Sequence, residues 1–198
     1  MNADDLFRLI LLSSLLLILP IGAYYRLRSQ ASGEKLDRRQ EGLFLLVSVR
    51  LVGLVFASCL LAYLINPEWM SWSALPLPTW LRGVGVGSMA LAAALLVWTY
   101  RHLGTNLTDT VVTRKHHSLV TTGPYRWVRH PFYLVSLFGS LGVGLMAANW
   151  FPLIAGGLIF VLLCMRTRIE EEKLVERFGD EYRRYMERTG RFFPRPWG

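Results

Sequence analysis

Apolar positions along this chain gather into long runs instead of alternating or recurring on one helical face. Leu6–Tyr25, Leu43–Ile65 and Leu81–Tyr100 meet or approach the roughly 20 residues that a helix needs to cross a bilayer. A fourth stretch, Pro131–Met165, is too long for one crossing. It is interrupted at Ala148-Asn149-Trp150-Phe151-Pro152, where Asn and Pro suit a turn between antiparallel helices. The pattern predicts an all-α, polytopic membrane bundle of about five transmembrane helices, the last two forming a hairpin. Beyond Arg166, Leu174, Val175 and Phe178 recur at helical spacing, Gly179 breaks the run, and Tyr182, Tyr185 and Met186 resume it. That rhythm predicts two short amphipathic helices folded over the cytoplasmic mouth. Residues 1–100 read as a three-span scaffold and 101–198 as a catalytic region, together one integrated domain. Asp4 and Asp5 precede the first run, and no small-residue cleavage site follows it, so it reads as a retained span and not a secretory signal.

The loops test this count. Arg26, Arg28, Lys35, Arg38 and Arg39 lie between the first two spans, whereas Asn66–Trp80 has no Lys or Arg and carries Trp69, Trp72 and Trp80. Arg101, Arg114, Lys115, Arg126 and Arg129 follow the third span, the turn near Asn149 is uncharged, and the tail is basic. Basic and Lys/Arg-free loops alternate as the positive-inside rule requires, with the N-terminus outside and the C-terminus cytoplasmic. The expected location is the inner membrane of a bacterial or archaeal cell.

Composition agrees: 53% of the 198 residues are hydrophobic and 18% charged, below the quarter or so usual for soluble domains. The net charge of +8 does not indicate nucleic-acid binding, because the cations sit between apolar runs and form no stripe. Cys59 and Cys164 lie within apolar runs without metal-ligand or CxxC spacing, which predicts neither a metal site nor a disulfide. Gly83, Gly85 and Gly87 follow no strand, so they read as a small-residue packing face, as do Gly142, Gly144, Gly156 and Gly157. Arg50 lies inside the second run; it either snorkels to the cytoplasmic side or faces the bundle interior.

Chemistry is expected in the two cytoplasmic segments. Gly123-Pro-Tyr-Arg-Trp-Val-Arg-His-Pro-Phe-Tyr133 sets Tyr125, Arg129, His130 and Tyr133 beside a helix start, where free N–H groups suit an anion such as a cofactor carboxylate. Glu170, Glu171 and Glu172 follow Arg166 and Arg168. Carboxylates next to an apolar span can bind ribose hydroxyls and offset a sulfonium charge.

The series Leu103-Gly104-x-Asn106, His117-Ser118-Leu119-Val120, Gly123-Pro-Tyr125 and Arg129-His130-Pro131-x-Tyr133 resembles the isoprenylcysteine carboxyl methyltransferase family. So does the tail, Arg166-x3-Glu170-Glu-Glu, Phe178-Gly-Asp-Glu-Tyr182 and Gly190-Arg-Phe-Phe-Pro194. The resemblance covers about the last 100 residues; the first half matches in hydropathy alone. It implies a membrane enzyme that takes S-adenosyl-L-methionine from the cytosol and a lipophilic or lipidated substrate from the bilayer lipids. His117, Ser118, Leu119, Val120, Tyr125, His130, Pro131, Phe132, Tyr133, Glu170 and Glu171 would then form the cofactor site. Arg166 would hold the substrate carboxylate. The acceptor stays open among the carboxylate of a prenylated cysteine, a phospholipid amine and a thiol, and oligomeric state is not legible. Two other classes compete: an NADPH-dependent sterol-type reductase, with Arg166 and Arg168 on the 2′-phosphate, and a non-enzymatic scaffold or transporter. The glutamate triplet would repel that phosphate, and no internal repeat of the transporter kind is present.

Overall fold

The computed structural model describes residues 2–30, 43–103 and 119–195. Six α-helices occur among them: α1 (Ala3–Gln30), α2 (Leu43–Ile65), α3 (Thr79–Leu103), α4 (Pro131–Met146), α5 (Trp150–Phe178) and α6 (Asp180–Arg188). Short 3-10 helices cover Pro67–Ser73 and Gly123–Arg126. α1, α2, α3 and α5 are long and apolar enough to cross a membrane. α4, with 16 residues, extends about 24 Å and is the short arm of the predicted hairpin with α5. Leu16, Leu17, Leu19, Phe44, Leu54 and Leu61 are exposed on α1 and α2, as a lipid-facing surface requires, and the chain is an integral membrane protein.

The hairpin turn falls at Ala147–Asn149. Asn149 caps α5 by accepting from Phe151 N (3.1 Å), while its amide donates to Met70 O (3.0 Å). Pro152 sits in the first turn of α5, where its missing N–H costs nothing. The tail holds one separate helix and not two: the Leu174–Phe178 segment is the end of α5, which runs unbroken for 29 residues until Gly179, at φ 56°, stops it. The uncharged run of α5 ends at Met165, and Arg166 is the first charged residue of the helix.

α3 and α4 pack backbone to backbone. A Cβ on Gly85 would lie 2.8 Å from Leu145 Cβ and 2.9 Å from Met146 N, and one on Gly142 would lie 3.0 Å from Gly85 O. Ser88 crosses the same seam to Phe138 O at 2.8 Å. Gly144 and Gly156 are similarly crowded by Leu153 and Ser140, but Gly83, Gly87 and Gly157 face open space. The predicted packing face therefore narrows to Gly85 on α3. Gly85→Val should cost about 1–3 kcal/mol through overpacking, lowering the unfolding temperature in detergent, whereas Gly87→Val should leave it unchanged.

Two arginines inside apolar runs escaped the sequence reading. Arg8 donates to Leu64 O and Ile65 O at the end of α2. Arg82, buried, donates to Met146 O (2.8 Å), pairs with Asp4 and stacks 4.4 Å from the Phe7 ring centroid. Such pairing satisfies otherwise open helix-end carbonyls and the charge together. Arg50 is exposed on α2, which excludes the bundle interior and leaves the snorkelling alternative.

Candidate active site

The segment between α3 and α4 reaches the site through a tight local structure. Gly123, at φ 63°, opens the 3-10 turn of Gly123–Arg126, and the chain then runs extended beside the tail. Gly190 N donates to Trp127 O (3.3 Å), Arg129 N to Gly190 O (2.9 Å) and His130 N to Arg191 O (3.2 Å). Tyr185 of α6 adds a hydroxyl bond to Tyr125 O at 2.6 Å. These bonds fold the tail back onto the first turn of α4, where Pro131 follows His130 at a helix N-terminus without a side-chain cap.

Glu171 is the electrostatic centre of this clasp. Its carboxylate accepts from Arg129 Nε (2.8 Å), His130 Nε2 (3.1 Å) and Arg191, and Arg129 also donates to Met186 O (3.1 Å) and Thr189 O. Burial pushes the Glu171 carboxyl up, but the hydrogen bonds from His130, Arg191 and Arg129 outweigh it and hold the group well below the usual carboxylate range. Because the anion receives Nε2–H, Nδ1 of His130 is left facing Glu170 Oε2 at 3.8 Å. Phe192 closes the cluster, with its ring centroid 6.0 Å from that of His130 and 6.2 Å from that of Tyr133.

Glu170 occupies the neighbouring helical position and points elsewhere, since successive residues are turned by about 100°. It accepts from Tyr133 OH at 2.6 Å and lines a cavity of about 340 Å³ with Arg166, one turn earlier on α5. Tyr125, His130, Pro131, Phe132 and Tyr133 form the facing wall, with the His130 and Tyr133 rings stacked at 5.2 Å. Arg26, Leu96 and Tyr100 complete it from α1 and α3, and Tyr100 stacks on Tyr25 at 4.7 Å.

Seven of the expected site residues therefore share this cavity: Tyr125, His130, Pro131, Phe132, Tyr133, Arg166 and Glu170. Glu171 sits behind it in the clasp. Leu119 lines a second cavity, between the 119–127 segment and α6, and Val120 is half-buried and lines neither. His117 and Ser118 lie outside the described residues. The sequence reading missed Arg26, which had counted only as a topology charge, and it gave no role to Arg191 and Phe192 within a string it had noted. Arg168, required by the reductase reading, is exposed and pairs with Glu172 at 3.1 Å; it does not line the cavity.

Comparison with known proteins finds one family profile, two kinds of curated relative and a solved structure. The isoprenylcysteine carboxyl methyltransferase (ICMT) family profile matches residues 85–176, which contain the α3–α4 seam, the cavity wall and both glutamates. Protein-S-isoprenylcysteine O-methyltransferase of Mus musculus is 33% identical over 125 residues, covering 60% of this chain and 43% of the relative. A cobalt-zinc-cadmium resistance protein of Cupriavidus metallidurans is 37% identical over 82 residues, covering 41% of this chain and 38% of the relative. The chain thus spans about two fifths of the length of these curated relatives. The solved structure of a eukaryotic intramembrane Ras methyltransferase, ICMT, superposes with a TM-score of 0.53 at 24% identity, over 80% of this chain and 54% of the other, which shows a shared fold. The family profile, the methyltransferase relatives and the fold agree in one respect: residues 85–176 of this chain, which carry the cavity wall and both glutamates, are similar to the isoprenylcysteine carboxyl methyltransferase family.

Proposed function

We propose that the chain is an S-adenosylmethionine-dependent membrane methyltransferase acting on the carboxylate of a lipophilic acceptor such as a prenylated cysteine. The observation that carries this reading is the placement of Arg166 and Glu170 one turn apart on α5, facing a single cavity at the start of α4. Residues 101–198 supply most of the machinery, and residues 1–100 act as a scaffold that contributes Arg26, Leu96 and Tyr100. The basic loops, taken with the positive-inside rule, support a cytoplasmic placement of this end of the bundle; the cell would be bacterial or archaeal.

The residues present suit the cofactor. Glu170, fixed by the Tyr133 hydroxyl, offers a carboxylate to ribose hydroxyls, and the rings of Tyr100, Tyr125 and Phe132 offer faces to a cation. His117, Ser118, Leu119 and Val120 extend this site by resemblance, while Glu171 supports it from behind. When bound, S-adenosylmethionine supplies an electrophilic methyl on a sulfonium. Arg166 would hold the acceptor carboxylate and turn one of its oxygens toward that methyl. A guanidinium suits this task because it binds both carboxylate oxygens in a fixed geometry. An ionised carboxylate carries no proton to remove, so the site needs alignment and exclusion of water more than a base. Leu96, Val135 and Leu163 give the cavity an apolar side for the lipid part of the acceptor.

Calorimetric titration of the detergent-purified chain with S-adenosylhomocysteine, with NADPH in parallel, tests the reading. Saturable binding of the nucleoside thioether alone is expected; binding of NADPH instead, or of neither, would overturn it. Glu170→Ala should weaken thioether binding between about tenfold and a hundredfold, the range for lost hydrogen bonds to a charged group, without loss of expression. Unchanged affinity would remove Glu170 from the site.

A further inference from the structure

The second cavity, about 640 Å³, lies between the 119–127 segment and α6 and is strongly cationic. Arg126, Arg184, Arg188 and Arg195 line it, and Glu181 is the single carboxylate among its lining residues. Among the described residues no ion pair joins any of these four guanidiniums to a carboxylate. The bonds they make are to neutral groups: Arg184 donates to Asp180 O (3.3 Å), Arg195 to Glu187 O, and Arg126 lies over the Trp127 ring at 5.6 Å. The nearby pair that does form, Arg183 with Asp180 at 2.8 Å, is on exposed side chains outside the cavity. All four arginines are exposed, so solvent screens part of their mutual repulsion, and an anion entering the hollow would meet all of them at once.

The place of the cavity beside the start of α4 points to which anion. Trp127 is 52% exposed at its rim and stands four residues before Pro131, the first residue of an apolar membrane helix. Tryptophan beside arginine at such a boundary is the usual chemistry of the headgroup layer. Arg188 is brought to the same level by the backbone pairing of Val128 with Gly190. We propose that this cavity binds the phosphate of an anionic phospholipid headgroup, held by Arg126 from one wall and by Arg184 and Arg188 of α6 from the other.

The test is thermal unfolding of the full chain in neutral detergent, titrated with phosphatidylglycerol, with phosphatidylcholine and with soluble glycerol phosphate. Phosphatidylglycerol should raise the midpoint saturably, by roughly 5 °C at a hundredfold excess over its Kd, and the other two should not. Arg184→Gln/Arg188→Gln should abolish the shift, Arg126→Gln should reduce it from the opposite wall, and Arg183→Gln, an equal change in charge outside the cavity, should retain it. Helical content by circular dichroism and a single elution peak in detergent serve as the folding controls for each variant. A shift that survives in the double variant, or is lost equally in Arg183→Gln, would overturn the site. An equal shift with glycerol phosphate would overturn the lipid assignment.

Discussion

Glu171→Ala should lower the unfolding midpoint by about 10 °C and loosen the tail from the start of α4. The carboxylate is buried and bonded to Arg129, His130 and Arg191. Its removal leaves the Arg129 guanidinium, whose side chain is only 8% exposed, bonded to backbone carbonyls but without a counter-charge. Breaking a buried pair from one side costs about 3–5 kcal/mol; the low end applies here because Arg191 is half-exposed and its share is screened by solvent. At roughly 2–4 °C per kcal/mol for a chain of this size, that gives the stated shift. The sign of the pH effect follows from the depressed carboxyl. With its folded value below the ordinary 4.5, Glu171 contributes its full stability above about pH 4.5 and loses it as pH falls toward the folded value. Wild-type stability should therefore fall across this acid range, and the fall should be shallower in Glu171→Gln. Limited proteolysis of the tail provides an independent measure: an Ala variant as resistant as wild type would show that the clasp does not depend on this anion.

Arg166→Ala should reduce kcat/KM for a prenylated cysteine with a free carboxylate by about a hundredfold, the upper range for a lost charged hydrogen bond. S-adenosylhomocysteine affinity should change far less. The split follows from the proposed assignment: Glu170, one turn away, keeps its own partner in Tyr133 at 2.6 Å when Arg166 is removed. Arg166→Lys should recover little, because an ammonium cannot reproduce a two-point grip on a carboxylate. Equal losses in turnover and cofactor affinity would take Arg166 out of the acceptor role.

The membrane helices were legible because a bilayer imposes a length and an apolar content that can be read one run at a time. α2 matches its run, Leu43–Ile65, end to end. The reading failed where partners distant in sequence decide the outcome. Nothing local marks Arg82 as paired with Asp4 and Met146 O, and nothing local separates Gly85 from Gly83 and Gly87. The glutamates show the same limit at the site. Glu170 and Glu171 are chemically identical neighbours, and only the helical turn between them sends one into the cavity and the other into the clasp. Arg166 and Glu170 were easier, since a spacing of four puts both on one helix face. Arg26 was out of reach, because its place in the cavity depends on how α1 packs beside α3.

The short reach of α4 has a physical consequence. At 16 residues it covers about 24 Å, against a hydrocarbon core of about 30 Å. Leu141 is the one exposed residue along it, and the rest packs mainly against the longer α3 and α5. Mismatch with lipid costs fractions of a kcal/mol per ångström, and a helix sheathed by longer neighbours is largely spared it. The bundle can thus seat a short helix, and the cavity at its start, without matching that helix to the bilayer.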